Sequence, residues 1–114
     1  MAYAGVPGYF TTCLTVGTTP INLLTAVTAV NAGFANLTQN VSVLRIQSDQ
    51  SNGANIIYVG DVNTSASTPS YGYQLLVHDQ VPYQSPLNVN VPLGAIWVVA
   101  SAAGCQINIE IYNV

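Results

Sequence analysis

Val41-Ser-Val-Leu-Arg-Ile-Gln-Ser-Asp-Gln-Ser-Asn-Gly-Ala-Asn-Ile-Ile-Tyr-Val-Gly-Asp61 is the stretch from which the fold is read. Val41 to Gln47 is strand-like, Ser48 to Asn55 is rich in turn formers, and Ile56 to Val59 returns to β-branched and aromatic residues. The pattern predicts two strands joined by a loop, a central hairpin. Gly60-Asp61 ends the second strand, because Gly tolerates positive φ and Asp can bond its own main chain. The segment carries almost no chemistry. Its information is architectural, and the same alternation of strand and turn signals repeats on both sides of it.

Upstream, Phe10, Thr12, Leu14 and Val16 alternate with Tyr9, Thr11, Cys13 and Thr15, which predicts a strand over 9–16 ended by Gly17. Residues 1–8 hold two Gly and one Pro without periodicity and read as an extended N-terminal arm, either a frayed terminus or a segment exchanged with a neighbouring subunit. Thr19 as a cap, Pro20 at the first helical position and the spacing of Leu23, Leu24, Val27 and Val30 predict a short helix over 20–26. The Thr and Val that follow favour extended chain. Asn31-Ala-Gly33 is a turn, and Phe34 to Asn40 leads into the central strand.

Downstream, strands are predicted over 73–77, over 87–91 and over 95–101, the last apolar on both faces and therefore central, with Trp97 in the core. The final strand opposes Cys105, Ile107, Ile109 and Ile111 to Gln106, Asn108, Glu110 and Tyr112. Seven or eight short strands at intervals of about ten residues predict an all-β domain over 9–114, a single antiparallel β-sandwich with jelly roll as the first choice. A chain of 114 residues forms one domain.

Charge is the outlying property. Arg45 is the one basic residue, and the acids are Asp49, Asp61, Asp79 and Glu110, so 4% of residues are charged where about 25% is usual. Free monomers use charge of both signs for solubility and to blunt sheet edges, so this chain is expected to bury surface in an assembly. A net charge of −3 with a single Arg removes the footing for nucleic-acid binding. No apolar run approaches the ~20 residues of a spanning helix, and the N-terminus lacks the pattern of a secretory signal, so cytoplasmic synthesis without a membrane segment is expected. Cys13 and Cys105 fall in opposite phase, one outward and one inward, which predicts free thiols.

Chemistry is sparse. His78 beside Asp79 is the single base candidate and reads as a solvated loop residue. Asp49 and Asp61 flank the central hairpin and read as turn formers rather than an acid–base pair. Asp61-Val-Asn63 lacks the further acids of a calcium loop, and the sequons at Asn36, Asn40 and Asn63 read as chance matches. No enzyme, cofactor or metal is expected. Tyr71, Tyr73 and Tyr83 sit in or beside two loops and are the candidate interface or ligand contacts, because Tyr offers rigid amphipathic area. Arg45 and Glu110 are candidates for a surface ion pair.

Val-Leu-Arg-Ile-Gln-Ser-Asp, Asn-Ile-Ile-Tyr-Val-Gly-Asp, Tyr-Gly-Tyr-Gln-Leu, Ala-Ile-Trp-Val-Val-Ala-Ser-Ala-Ala-Gly and Ile-Asn-Ile-Glu-Ile, in that order over residues 41–114, resemble the small β-sandwich virion proteins of tailed bacteriophages. The resemblance implies a capsid decoration, or cement, protein: a jelly roll, frequently trimeric, that sits on the capsid surface of the virion and braces the major capsid protein. It carries no functional residue motif, and the segment 21–30 departs from it. A binding module, such as a glycan- or receptor-recognising head fibre or tail piece using Tyr71, Tyr73 and Tyr83, is the alternative.

Overall fold

The computed structural model describes residues 8–36, 43–65, 73–75, 83–84 and 92–112. Among the described residues there are eight strands: β1 (Tyr9–Val16), β2 (Ile21–Asn22), β3 (Val43–Ser48), β4 (Ile57–Gly60), β5 (Tyr73–Leu75), β6 (Tyr83–Gln84), β7 (Trp97–Ala100) and β8 (Cys105–Tyr112). An α-helix, α1 (Leu23–Val30), follows β2 directly. The strands form two antiparallel sheets, a front sheet in the order β1-β8-β3-β6 and a back sheet in the order β2-β7-β4-β5. The chain is thus a small β-sandwich.

The core lies between the sheets and follows from the period-2 pattern. Leu14 and Val16 of β1, Leu44 and Ile46 of β3, and Cys105, Ile107, Ile109 and Ile111 of β8 face inward and are buried. Ile57, Val59, Leu75, Val98 and Ala100 meet them from the back sheet. Tyr58 and Val99, opposite each other across β4 and β7, are buried as well, so these two strands are covered on both faces. That matches their unbroken apolar composition. Cys13 is exposed and Cys105 buried, both as free thiols, as their phases require.

The central hairpin is a correction. β3 and β4 do not pair: β3 lies between β8 and β6 in the front sheet, and β4 lies between β7 and β5 in the back sheet. The link between them includes a 3-10 turn at Gln50–Asn52 and crosses from one sheet to the other. The burial requirement explains the split. β3 is apolar on alternate positions and covers one side of the core, whereas β4 is buried at three successive residues and needs a neighbour on each edge. A link this long imposes no tight-turn register that would force pairing.

The helix is the second correction. It starts at Leu23 rather than Pro20, because Ile21 and Asn22 first pair with Val98 and Trp97 of β7. The cap is Asn22, not Thr19: its Oδ1 accepts from the Thr25 N–H at 3.2 Å. The Asn22 Nδ2 also donates to the Gly94 carbonyl at 2.8 Å, and the Leu23 N–H donates to the Ile96 carbonyl at 2.9 Å. Residues expected to be extended, Val27 to Val30, are helical, because Leu23 and Val27 lie one turn apart and both enter the core. Tertiary burial overrides the strand preference of Thr and Val. A 3-10 turn at Ala32–Asn36 then buries Phe34, whose ring meets Phe10 edge to face at 5.1 Å.

Trp97 is the third. It is half-buried rather than core, since Ile96 and Val98 take the inward phase and leave the indole on the outer side of the back sheet. There it lines a cavity of about 390 Å³ with Ile21, Asn22, Thr25, Ala26 and Ala29. The predicted strand over 95–101 is correspondingly shorter, its first residue belonging to a 3-10 turn at Leu93–Ala95. The predicted strand over 87–91 and all but Gly8 of the predicted N-terminal arm over 1–8 lie outside the described residues. No helix among the described residues is long and apolar enough to cross a membrane.

Candidate functional site

The outer face of the front sheet gathers most of the polar chemistry of the described chain. Register places its side chains in rows across three strands: Tyr9, Tyr112 and Val43; Thr11, Glu110 and Arg45; Cys13, Asn108 and Gln47. These are the positions left over when β1, β3 and β8 turn their apolar residues inward. An open groove of about 430 Å³ runs over them, lined by Thr11, Thr12, Arg45, Gln47, Asn108 and Glu110 among others.

Glu110 is the hub. Its Oε1 accepts from Arg45 Nη1 at 2.8 Å, and its Oε2 accepts from the Tyr9 hydroxyl at 2.8 Å. The expected ion pair is therefore formed, between a half-exposed Arg45 and a more buried Glu110 on directly opposed residues of β3 and β8. The hydrogen bond to the Glu110 carboxylate raises the Tyr9 phenol above its ordinary range, because losing the proton would set two anions against each other. Tyr9 in turn lies against Tyr112, ring centroids 4.8 Å apart.

At the other end of the sheet, Asp49 is fastened from three sides. Its Oδ2 accepts from the Ser51 hydroxyl at 2.6 Å and the Ser51 N–H at 3.0 Å, and its Oδ1 accepts from Asn108 Nδ2 at 3.0 Å. These bonds, led by the Ser51 hydroxyl, hold its carboxyl below the usual carboxylate range. Beneath it, Asn52 is buried and acts as a substitute strand. Its Oδ1 accepts from the Gln106 N–H at 2.7 Å, while its Nδ2 donates to the Gln106 carbonyl at 2.6 Å and to Ser48 Oγ at 2.8 Å. One side-chain amide thus completes the end of the β3–β8 ladder.

Asp61 forms its own turn, its Oδ1 accepting from the Asn63 N–H at 2.9 Å, so both acids serve as turn formers. Among the described residues no three His, Cys, Asp or Glu side chains come together. The Cys13 thiol donates to Gln106 Oε1 at 3.4 Å, and the groove therefore offers hydroxyls, amides and one closed ion pair.

Two of the candidate tyrosines lie in described strands. Tyr73 is exposed on β5, the last strand of the back sheet, while Tyr83 belongs to β6, the last strand of the front sheet, opposite Ile46. Tyr71, His78 and Asp79 lie outside the described residues, as does the Tyr83 side chain. Sequence reasoning passed over Tyr9, Thr11, Gln47, Asn52 and Asn108. All except Asn52 were detectable as the polar phase of predicted strands. Asn52, in a stretch of turn formers, carried no signal of burial.

Compared with known proteins, the chain matches no family model, no curated protein and no solved structure.

Proposed function

We propose that this chain is a jelly-roll virion protein of the capsid-decoration type, a structural protein that reinforces a bacteriophage shell through contacts with its own copies and with the major capsid protein. The observation that carries the reading is the nesting of the strands. β1 pairs with β8, β2 with β7, β3 with β6 and β4 with β5, so the outermost strands in sequence meet first and the innermost last. A long hairpin wrapped in this way into two four-stranded sheets is the jelly roll, an arrangement recurrent in viral capsid and lectin domains. Fold alone assigns no function. The surface chemistry supplies the second support: 4% charge, with the single Arg closed onto Glu110, suits a protein held in an assembly rather than kept apart by repulsion.

In this reading residues 1–8 are an arm available to a neighbouring copy, and the protein lacks catalytic chemistry. The test is molar mass by light scattering, followed by add-back to capsids stripped of their decoration. Three copies, or a multiple of three, with uptake insensitive to salt is the expected result. A monodisperse monomer that fails to bind capsids overturns it. The groove over Thr11, Gln47 and Asn108 favours a second reading, a glycan- or receptor-binding head-fibre or tail module, since amides and hydroxyls suit sugar hydroxyls. A glycan-dependent change in tyrosine fluorescence would favour that reading instead.

A further inference from the structure

Among the described residues four strands end the two sheets: β2, β5, β6 and β1. The fourth, β1, runs for eight residues in unbroken register with β8, without a bulge, a proline or a charge. Long, flat, uncharged edges are the ones that pair with another chain, and proteins that stay single protect them with Lys, Pro or bulges. None of these devices is present on β1.

The direction of its free backbone groups can be deduced. Gln106 accepts from the Asp49 N–H at 3.1 Å and donates to Asn52, so its main chain faces β3. Backbone direction alternates along a strand, so Cys105, Ile107, Ile109 and Ile111 face β1 and bond Val16, Leu14, Thr12 and Phe10 in return. The remaining residues, Tyr9, Thr11, Cys13 and Thr15, therefore aim their N–H and C=O groups at the open edge, where no described strand meets them.

We propose that this edge pairs with β1 of a second copy, antiparallel about a two-fold axis at Thr12, so that two front sheets become one eight-stranded sheet. Self-pairing is favoured because an antiparallel edge is complementary to itself under a two-fold rotation and this one carries no charge to oppose its copy. The register follows from the same count. With the axis at Thr12, Tyr9 bonds Thr15 of the second copy and Thr11 bonds its Cys13, and all four outward-facing residues of each chain are used. An axis at Thr11 or Cys13 leaves Thr15 or Tyr9 outside the β1 ladder. The contact does not depend on the capsid reading. It is a two-fold contact, separate from any three-fold one, and would join one decoration unit to the next.

Cys13 reports on it directly. In this register the two Cys13 residues are diagonal neighbours, roughly 7–8 Å apart. Cys105 is buried, so Cys13 is the thiol open to reagent. A bis-maleimide of about 8 Å reach, chosen for that diagonal spacing, should convert the folded wild-type protein to covalent dimer. Thr11→Pro removes an N–H that points away from β8, and Thr15→Lys adds the charge that edges normally carry; each should cut the dimer yield on the order of tenfold. Circular dichroism and the melting midpoint of Thr15→Lys should stay at wild-type values. Absence of covalent dimer from the folded wild type, or undiminished cross-linking in both variants, overturns the proposal. Capsid uptake without cross-linking would discard the edge contact and keep the capsid reading; cross-linking without uptake would do the reverse.

Discussion

Asn52 concentrates more structure than any other polar residue described. Its amide serves both backbone groups of Gln106 and the Ser48 hydroxyl from a site only 4% exposed. Asn52→Ala takes this partner from the Gln106 N–H and the Ser48 hydroxyl, while the Gln106 carbonyl keeps the Asp49 N–H, for a cost of about 1–3 kcal/mol. Urea unfolding should show it as a lowered midpoint at unchanged slope. Asn52→Asp, which keeps the shape but loses the donors, should also destabilise. Asp49 above it has a pH signature. Its folded-state carboxyl titrates lower than in the unfolded chain, so its contribution is present above the ordinary carboxylate range and is lost as pH falls through the depressed value. Asp49→Asn should therefore lower stability most near neutral pH and flatten the acid limb, the difference from wild type shrinking in thermal melts below pH 5.

At the scale of elements, α1 depends on its attachments more than on its composition. Eight residues make a helix too short to persist alone, and its sequence Leu-Leu-Thr-Ala-Val-Thr-Ala-Val includes four β-branched positions. Asn22 caps it while holding Gly94, and Leu23 and Val27 anchor it in the core. Asn22→Ala should cost about 1 kcal/mol through the cap. Val30→Ala, on the exposed side, should be nearly silent in the same denaturation experiment. The turn between β7 and β8 is similarly particular: Gly104 sits at a φ of +76°, where a side chain would be strained.

For the whole molecule, cohesion is apolar. The one ion pair among the described residues, Arg45 with Glu110, is half-exposed on the arginine side, so its worth is on the order of 0–1 kcal/mol. Arg45→Gln should shift the melting midpoint slightly, and raising salt to 1 M should leave the wild-type midpoint nearly unmoved, as read by calorimetry. Folding brings residues about a hundred positions apart into register, Tyr9 with Tyr112 and Val16 with Cys105, so the first and last strands close the sheet together.

That closure marks the boundary between what could be read and what could not. Alternation alone determined the strand character of 9–16 and 105–112, which faces were buried, the opposite exposure of Cys13 and Cys105, and the polar phase from which the outer groove is made. It also placed Arg45 and Glu110 as candidates for a pair, since a period of two fixes side without needing a partner's identity. Tertiary structure decided which strands became neighbours. β3 and β4 read as a hairpin because they are adjacent in sequence, but partners are chosen by shared burial across the sandwich, which separated them into opposite sheets. The same long-range burial made 27–30 helical, moved Trp97 out of the core, and turned Asn52 from a loop residue into the end of a ladder. Period is a property of a few successive residues, whereas pairing and burial belong to contacts that form only when distant parts of the chain meet.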